Sequence, residues 1–248
     1  MYLALFTVLA CLWTCHCLVE KDEEQAQDHC GLLKQYLEAS TVSVELTKRG
    51  FHRDLINTVE LGPDTLGDVR VLLVHRWPSG VYVDPYQLAF MSDQRDWQIL
   101  FDSTIDLEMP AHKTSGFLTY IYPSYTGPTP TILKVTIPVH GRYHEPSSVG
   151  EMFTSVYIDH PELLLRTEKC AQLNLLEPHT VVDAPCTVNN SSTCSWVRVH
   201  QQQELGPLSF QLPVGDGSAV VYICGGTLLA TMICCAALSK YMWKHQII

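Results

Sequence analysis

The sequence predicts a mainly β protein: an antiparallel β-sandwich-like luminal domain followed by one C-terminal transmembrane helix. Three observations carry this prediction. Twenty residues, Ala219 to Leu238, contain no Asp, Glu, Lys, Arg or His. Upstream, short apolar or alternating segments are broken repeatedly by Pro, Gly, Asn and Asp, with no long amphipathic helix among them. The chain also opens on a short apolar stretch of the kind that directs export.

That opening stretch, residues 1–18 (MYLALFTVLACLWTCHCL), reads as a signal peptide cleaved near Cys17. It is shorter than a usual span, although its lack of Lys and Arg keeps an uncleaved N-terminal anchor as the alternative. Residues 19–217 form the expected luminal β-rich domain, long enough to bury a sizeable core. Within it, Asp28 to Leu37 places Leu33, Tyr36 and Leu37 near one helical face. The segments Val69 to Val74, Gly80 to Asp84, Trp97 to Phe101, Phe117 to Tyr122, Thr131 to Val139 and Met152 to Ile158 read as strands. They are rich in β-branched and aromatic residues and bounded by turn signals such as Trp77-Pro78-Ser79-Gly80. Pro161 to Arg166 reads as a helical turn or two, and Pro213 to Ser218 as a flexible connection.

Residues 218–239 are the expected transmembrane helix and 240–248 a short cytosolic tail. At about 1.5 Å per residue the charge-free run spans roughly 30 Å, the thickness of a hydrocarbon core. Lys240 and Lys244 follow it directly, whereas Glu204 to Ser218 contains no Lys or Arg. Basic residues stay preferentially on the cytoplasmic side, so a single-pass type I orientation is expected, with the bulk of the chain in the lumen.

Charge and cysteine content narrow the function. All 26 acidic residues but only 14 of the 16 basic ones precede the span. So acidic a surface disfavours nucleic acid and anionic headgroups. Four cysteines, Cys30, Cys170, Cys186 and Cys194, fall in the luminal segment, an even number in an oxidising compartment. They allow three pairings, with at least one local bridge expected among Cys170, Cys186 and Cys194; a free buried thiol at Cys30 is the alternative. Between Cys186 and Cys194, Asn189 and Asn190 each satisfy the N-glycosylation pattern.

No motif points to catalysis. His52-Arg53-Asp54 echoes the kinase catalytic loop, but neither a Gly-rich phosphate loop nor Asp-Phe-Gly accompanies it. His140 and His144 stand four apart, yet Pro138 and Gly141 oppose the helix that would align them on a metal. Hydrogen-bonded histidines at a strand end are the plainer reading. There is no Gly-x-Ser-x-Gly elbow and no Cys-x-x-Cys pair, and neither a cofactor nor a metal is implied. In the span, Gly226, Ala230 and Cys234 repeat every four residues, a stripe along which another helix can approach closely.

Four segments carry a resemblance. GFHRDL (Gly50 to Leu55), GVYVDPYQLA (Gly80 to Ala89), PVHGRYHEPS (Pro138 to Ser147) and VVDAPC (Val181 to Cys186), in this order before a C-terminal span, resemble the PIG-X family. The resemblance implies a type I membrane protein of the endoplasmic reticulum. Its implied role is non-catalytic: to stabilise PIG-M, the multi-span mannosyltransferase that adds the first mannose to the glycosylphosphatidylinositol (GPI) anchor precursor. Under it, Arg53, Asp54, Tyr82, Asp84, Tyr86, His140, Arg142 and His144 are interface candidates, with a purely fold-maintaining role the alternative. Two other classes share this topology: a single-pass cell-surface adhesion or receptor-like β-sandwich protein, and an anchored luminal hydrolase. The tail from Ser239 to Ile248 carries no signalling motif, which disfavours the receptor reading.

Overall fold

A computed structural model describes residues 30–62, 69–91, 96–124, 132–170, 173–200 and 206–246. Residues 1–18, with the signal-peptide reading, lie outside the described residues, as do the start of the helix expected from Asp28 and Thr131 of an expected strand. The first described element is a helix, α1, over residues 30–39. Cys30, Leu33, Tyr36 and Leu37 are its buried positions, the spacing of an apolar stripe.

Strands β1 (Thr41–Thr47), β2 (His52–Glu60), β3 (Val69–Trp77) and β4 (Val81–Tyr82) follow, then a short helix, α2 (Pro85–Phe90). Next come β5 (Trp97–Phe101), β6 (Phe117–Pro123), β7 (Ile132–Gly141), β8 (Phe153–Ile158) and β9 (Glu162–Thr167). The domain closes with β10 (Val181–Thr187), β11 (Asn190–Arg198) and β12 (Leu208–Pro213), before a long helix, α3 (Val220–Lys244). One sheet has the order β1-β2-β7-β4, a second the order β10-β11-β9-β3-β6-β5, and β8 and β12 form a ribbon. Among the described residues the pairings between these strands are antiparallel.

One core joins these layers. Leu55, Val59, Val135 and Ile137 of the first sheet pack with Val71, Leu73, Ile121, Leu163 and Leu165 of the second. Val156, Ile158, Phe210 and Leu212 of the ribbon complete it. Each such side chain contributes about 1.5–3 kcal/mol by leaving water. A smaller cluster covers the opposite face of the second sheet: Leu72, Val74, Leu164 and Ala184 around a fully buried Trp196.

Two disulfides close the domain. Cys30 of α1 joins Cys170 just after β9, and Cys186 joins Cys194 across the β10–β11 hairpin. The sequence separations are 140 and 8 residues. In a loop-entropy account the long closure is worth about 5 kcal/mol and the short one about 2.5 kcal/mol.

Two expectations need correction. Pro161 to Arg166 is not helical: β9 is a central strand between β3 and β11. Leu163 and Leu165 face the main core while Leu164 faces the outer cluster. A strand buried on both faces reads as a continuous apolar run, which periodicity alone does not separate from a helical turn. Nor is Pro213 to Ser218 a free linker. The Val214 N–H donates to the Met152 carbonyl at 3.0 Å, the Ser147 N–H to Gly215 at 2.8 Å, and the Gly217 N–H to Ser147 at 2.8 Å.

α3 carries the charge-free run and continues through Lys240 to Lys244. Its 25 residues span roughly 37 Å, ample for a bilayer core. None of its apolar side chains is buried against the domain. The Thr227 and Thr231 hydroxyls donate to the carbonyls of Ile223 and Thr227, one turn back, so the helix satisfies its own polar groups.

Candidate functional site

The candidate residues gather chiefly at one end of the first sheet, where β4 meets β7. Strand pairing sets His52 opposite His140 and Tyr82 opposite His140 on its other side. The Nδ1 atoms of His52 and His140 lie 2.8 Å apart, and His140 Nε2 lies 2.7 Å from Gln87 Oε1. One tautomer satisfies both contacts: His52 donates to His140 Nδ1, and His140 donates from Nε2 to the amide oxygen. Burial, then the neighbouring His52, hold the His140 pKa below the ordinary imidazole value, which keeps the ring neutral for this relay.

Gln87 is presented by α2, which the sequence starts firmly. Asp84 caps it, accepting from the Tyr86 N–H at 2.8 Å, and Pro85 occupies the first turn, where no amide hydrogen is needed. Buried Leu88 anchors the helix, leaving Tyr86 and Phe90 exposed one turn apart.

Stacking and cation contacts finish the cluster. The Tyr82 ring stacks on His140 with centroids 5.0 Å apart. The Arg142 guanidinium lies 4.9 Å from the Tyr82 centroid and donates to the carbonyls of Met109 at 2.7 Å and Val81 at 3.4 Å. Burial lowers the Arg142 pKa and raises that of Tyr82.

Arg53 and Asp54 do something different. Arg53 donates to the carbonyls of Gly50 at 3.1 Å and Lys48 at 3.3 Å, with its guanidinium 4.4 Å from the Phe210 centroid. Asp54 pairs with Lys48 at 2.7 Å. Together they fasten the β1–β2 turn, where Lys48 and Gly50 adopt positive φ of 64° and 76°. Arg53 also ties that turn to the β8–β12 ribbon through Phe210. A Cβ at Gly141 would meet Leu212 and Phe51 at 2.7 and 3.2 Å, so glycine permits this close approach.

His144 stands apart from His140. It lines a cleft of about 410 Å³ with Ala111, His112 and Ser147, and its Nε2 has no hydrogen-bond partner among the described residues. Burial, then His112, lower its pKa. Among the described residues no three His, Cys, Asp or Glu side chains come together as a metal site would require.

Asn189 is exposed in the turn between β10 and β11, and Asn190 opens β11. On α3, a Cβ at Gly226 would meet nothing within 4 Å. Gly226, Ala230 and Cys234 share an uncovered helix face. The structure adds His52, Gln87, Phe51 and Tyr143 to the cluster; the Phe51 and Tyr143 rings lie 5.1 Å apart. All four sit inside the segments that carried the resemblance, but only strand register reveals that they meet.

What this arrangement offers is a polar and aromatic surface held by hydrogen bonds and ring contacts. A family model described as PIG-X / PBN1 matches residues 48–243, which takes in β2 to β12 and most of α3. The chain belongs to the PIG-X/PBN1 family. The first family segment, Gly50 to Leu55, thus supplies the fastened turn, and the next two supply the stacked cluster. A human protein named "GPI alpha-1,4-mannosyltransferase I, stabilizing subunit" is 29% identical over 205 residues, covering 81% of this chain and 79% of that protein. Its namesakes in Rattus norvegicus and Mus musculus are each 28% identical over 204 residues, covering 81% of this chain and 81% and 80% of those proteins.

Proposed function

We propose that this chain is the stabilising, non-catalytic subunit of the endoplasmic-reticulum mannosyltransferase that adds the first mannose during GPI-anchor biosynthesis. The observation that carries the reading is the family match across residues 48–243, which runs from β2 through most of α3, beside a relative of that name 29% identical over 81% of this chain. The catalytic partner is PIG-M, a multi-span protein, and this chain takes neither donor nor acceptor. It is a single-pass type I glycoprotein with a cleaved signal, its domain in the lumen and a glycan on Asn189 or Asn190.

Stabilisation here is mass action. A subunit that binds only the folded partner favours folding by about 4 kcal/mol at a thousand times its dissociation constant. Two surfaces supply that affinity. The first is the Tyr82–His140–Arg142 cluster with Tyr86 exposed beside it; the second is the Gly226, Ala230 and Cys234 face of α3, where close packing replaces the hydrophobic drive absent in lipid. Acid–base chemistry is not required of the cluster: its histidine is neutral and engaged on both ring nitrogens.

Purification of the full chain in mild detergent tests the reading. A multi-span mannosyltransferase should come down with it, and deletion should lower both that partner's level and surface GPI-anchored proteins. Mannose transfer by the purified chain alone, or no transferase in the pull-down, would overturn the reading.

A further inference from the structure

The connection between the domain and α3 is hydrogen-bonded to a second loop. β8 and β12 pair along their whole length, with Phe153 opposite Pro213, so both strands end at the same level. Beyond that point the Ser147–Met152 loop is bonded to 214–217 through Val214–Met152, Ser147–Gly215 and Gly217–Ser147. A short parallel bridge joins Ser147 to Asp216. The loop is itself braced, since the Ser147 hydroxyl accepts from the N–H groups of Val149 and Glu151.

Its position then follows from lengths. Counting back about 30 Å from Lys240 puts the near edge of the hydrocarbon at the start of α3. Gly217 lies three residues before Val220, in a turn rising roughly 2 Å per residue, and so stands about 6 Å above that edge. The headgroup layer is itself about 5–7 Å deep on each side. A loop hydrogen-bonded to Gly217 therefore lies within it. Here the domain exposes Val149, Met152 and Phe153 at 80%, 72% and 51% of their areas. No Lys or Arg lies between Tyr143 and Ile158, whereas Glu145 and Glu151 do. An apolar rim with acidic neighbours suits zwitterionic lipid better than anionic lipid.

We propose that the Val149–Phe153 loop rests on the bilayer, with Val149, Met152 and Phe153 entering the headgroup–acyl boundary of the leaflet next to the domain. The domain is then seated on the membrane at two points, the α3 entry and this loop, which sets how its remaining surface is presented. The inference rests on reading α3 as a membrane span.

The test uses the full chain in phosphatidylcholine nanodiscs containing lipid with a nitroxide near the top of its acyl chain. An environment-sensitive fluorescent amino acid is placed, in separate proteins, at Val149, Met152, Val221 in α3, and Tyr157. Tyr157 is exposed on β8 about 13 Å further from the membrane along the strand. Quenching at 149 and 152 should match that at 221 and exceed that at 157 severalfold. Quenching at 221 with 149 and 152 no stronger than 157 would overturn the loop contact and leave the span intact. An unquenched 221 would overturn the span reading and the inference with it. Loss of quenching at 149 and 152 when the transferase is co-reconstituted would assign the loop to protein, not lipid, and overturn the proposal for the complex.

Discussion

The apolar interior and the β4–β7 end are both tightly built, but by different forces. Around Trp196 and through the main core, stability comes from non-directional burial of Leu, Val and Ile, backed by two disulfides. At the β4–β7 end, Tyr82, Gln87, His140 and Arg142 are held by directional contacts: hydrogen bonds, a ring stack and a cation over a ring. Burial makes a domain stable yet tolerates exchange among apolar shapes. Directional contacts add less stability but fix where surface groups point. The lesson is that the first region keeps the domain folded and the second keeps one surface in register.

The disulfides should give the largest effect. Replacing Cys30 and Cys170 by Ala should cost about 5 kcal/mol, against about 2.5 kcal/mol for Cys186 and Cys194, measured by chemical denaturation of the domain. Equal losses would show that loop length does not govern the staples. Next, Trp196→Ala should lose about 4 kcal/mol by opening a cavity under the hairpin. Trp196→Phe should lose much less, because the indole N–H has no acceptor among the described residues.

Acid should then separate the regions by size of effect. His75 is fully buried, stacks on Trp77 at 4.9 Å, and finds no hydrogen-bond partner for either ring nitrogen among the described residues. Burial, then His160, lower its pKa to about 3. The folded value lies below the unfolded one, so the neutral ring's contribution is whole above pH 6.5 and is lost as pH falls towards about 3. The slope should approach 1.4 kcal/mol per pH unit, about 3 kcal/mol by pH 4.5, and His75→Phe should flatten it in pH-dependent melting. His140 and His144 are shifted in the same direction and would add to the loss at the other end.

Smaller effects fall at the β4–β7 end. Arg142→Ala should cost about 2 kcal/mol by leaving the Met109 and Val81 carbonyls without their charged donor. Asp84→Ala should cost about 1 kcal/mol through the lost cap of α2. Both should weaken co-purification of the transferase beyond what their melting shifts explain, whereas interior variants should weaken it only in proportion to stability. If all variants fall on one line of partner level against stability, the cluster is fold alone.

Much of this was legible from composition. Trp97–Phe101 is the strand expected for it, and β3, β6, β7 and β8 each contain or closely match an expected segment. β1, β2 and β12 were harder to see, because polar residues alternate through them and their apolar positions matter only once a facing sheet exists. Leu163-Leu164-Leu165 misled for the opposite reason, since a run apolar on both faces has no period to read. The candidate cluster was visible only in part: His140 stood among the candidates, but its partner His52 lies 88 positions away and meets it only through the β2–β7 register.

The sequence by itself determined the charge-free helix, the strand-rich class and the supply of cysteines, because each depends on local composition and on neighbours along the chain. Tertiary structure alone decided that Cys30 meets Cys170, that Gln87 meets His140, and that the segment before the span is strapped to Ser147 and Met152. Those outcomes join residues far apart in the chain, and the strand register that brings their elements together depends on which face is buried, since a one-residue slip turns a strand's side chains to the other face.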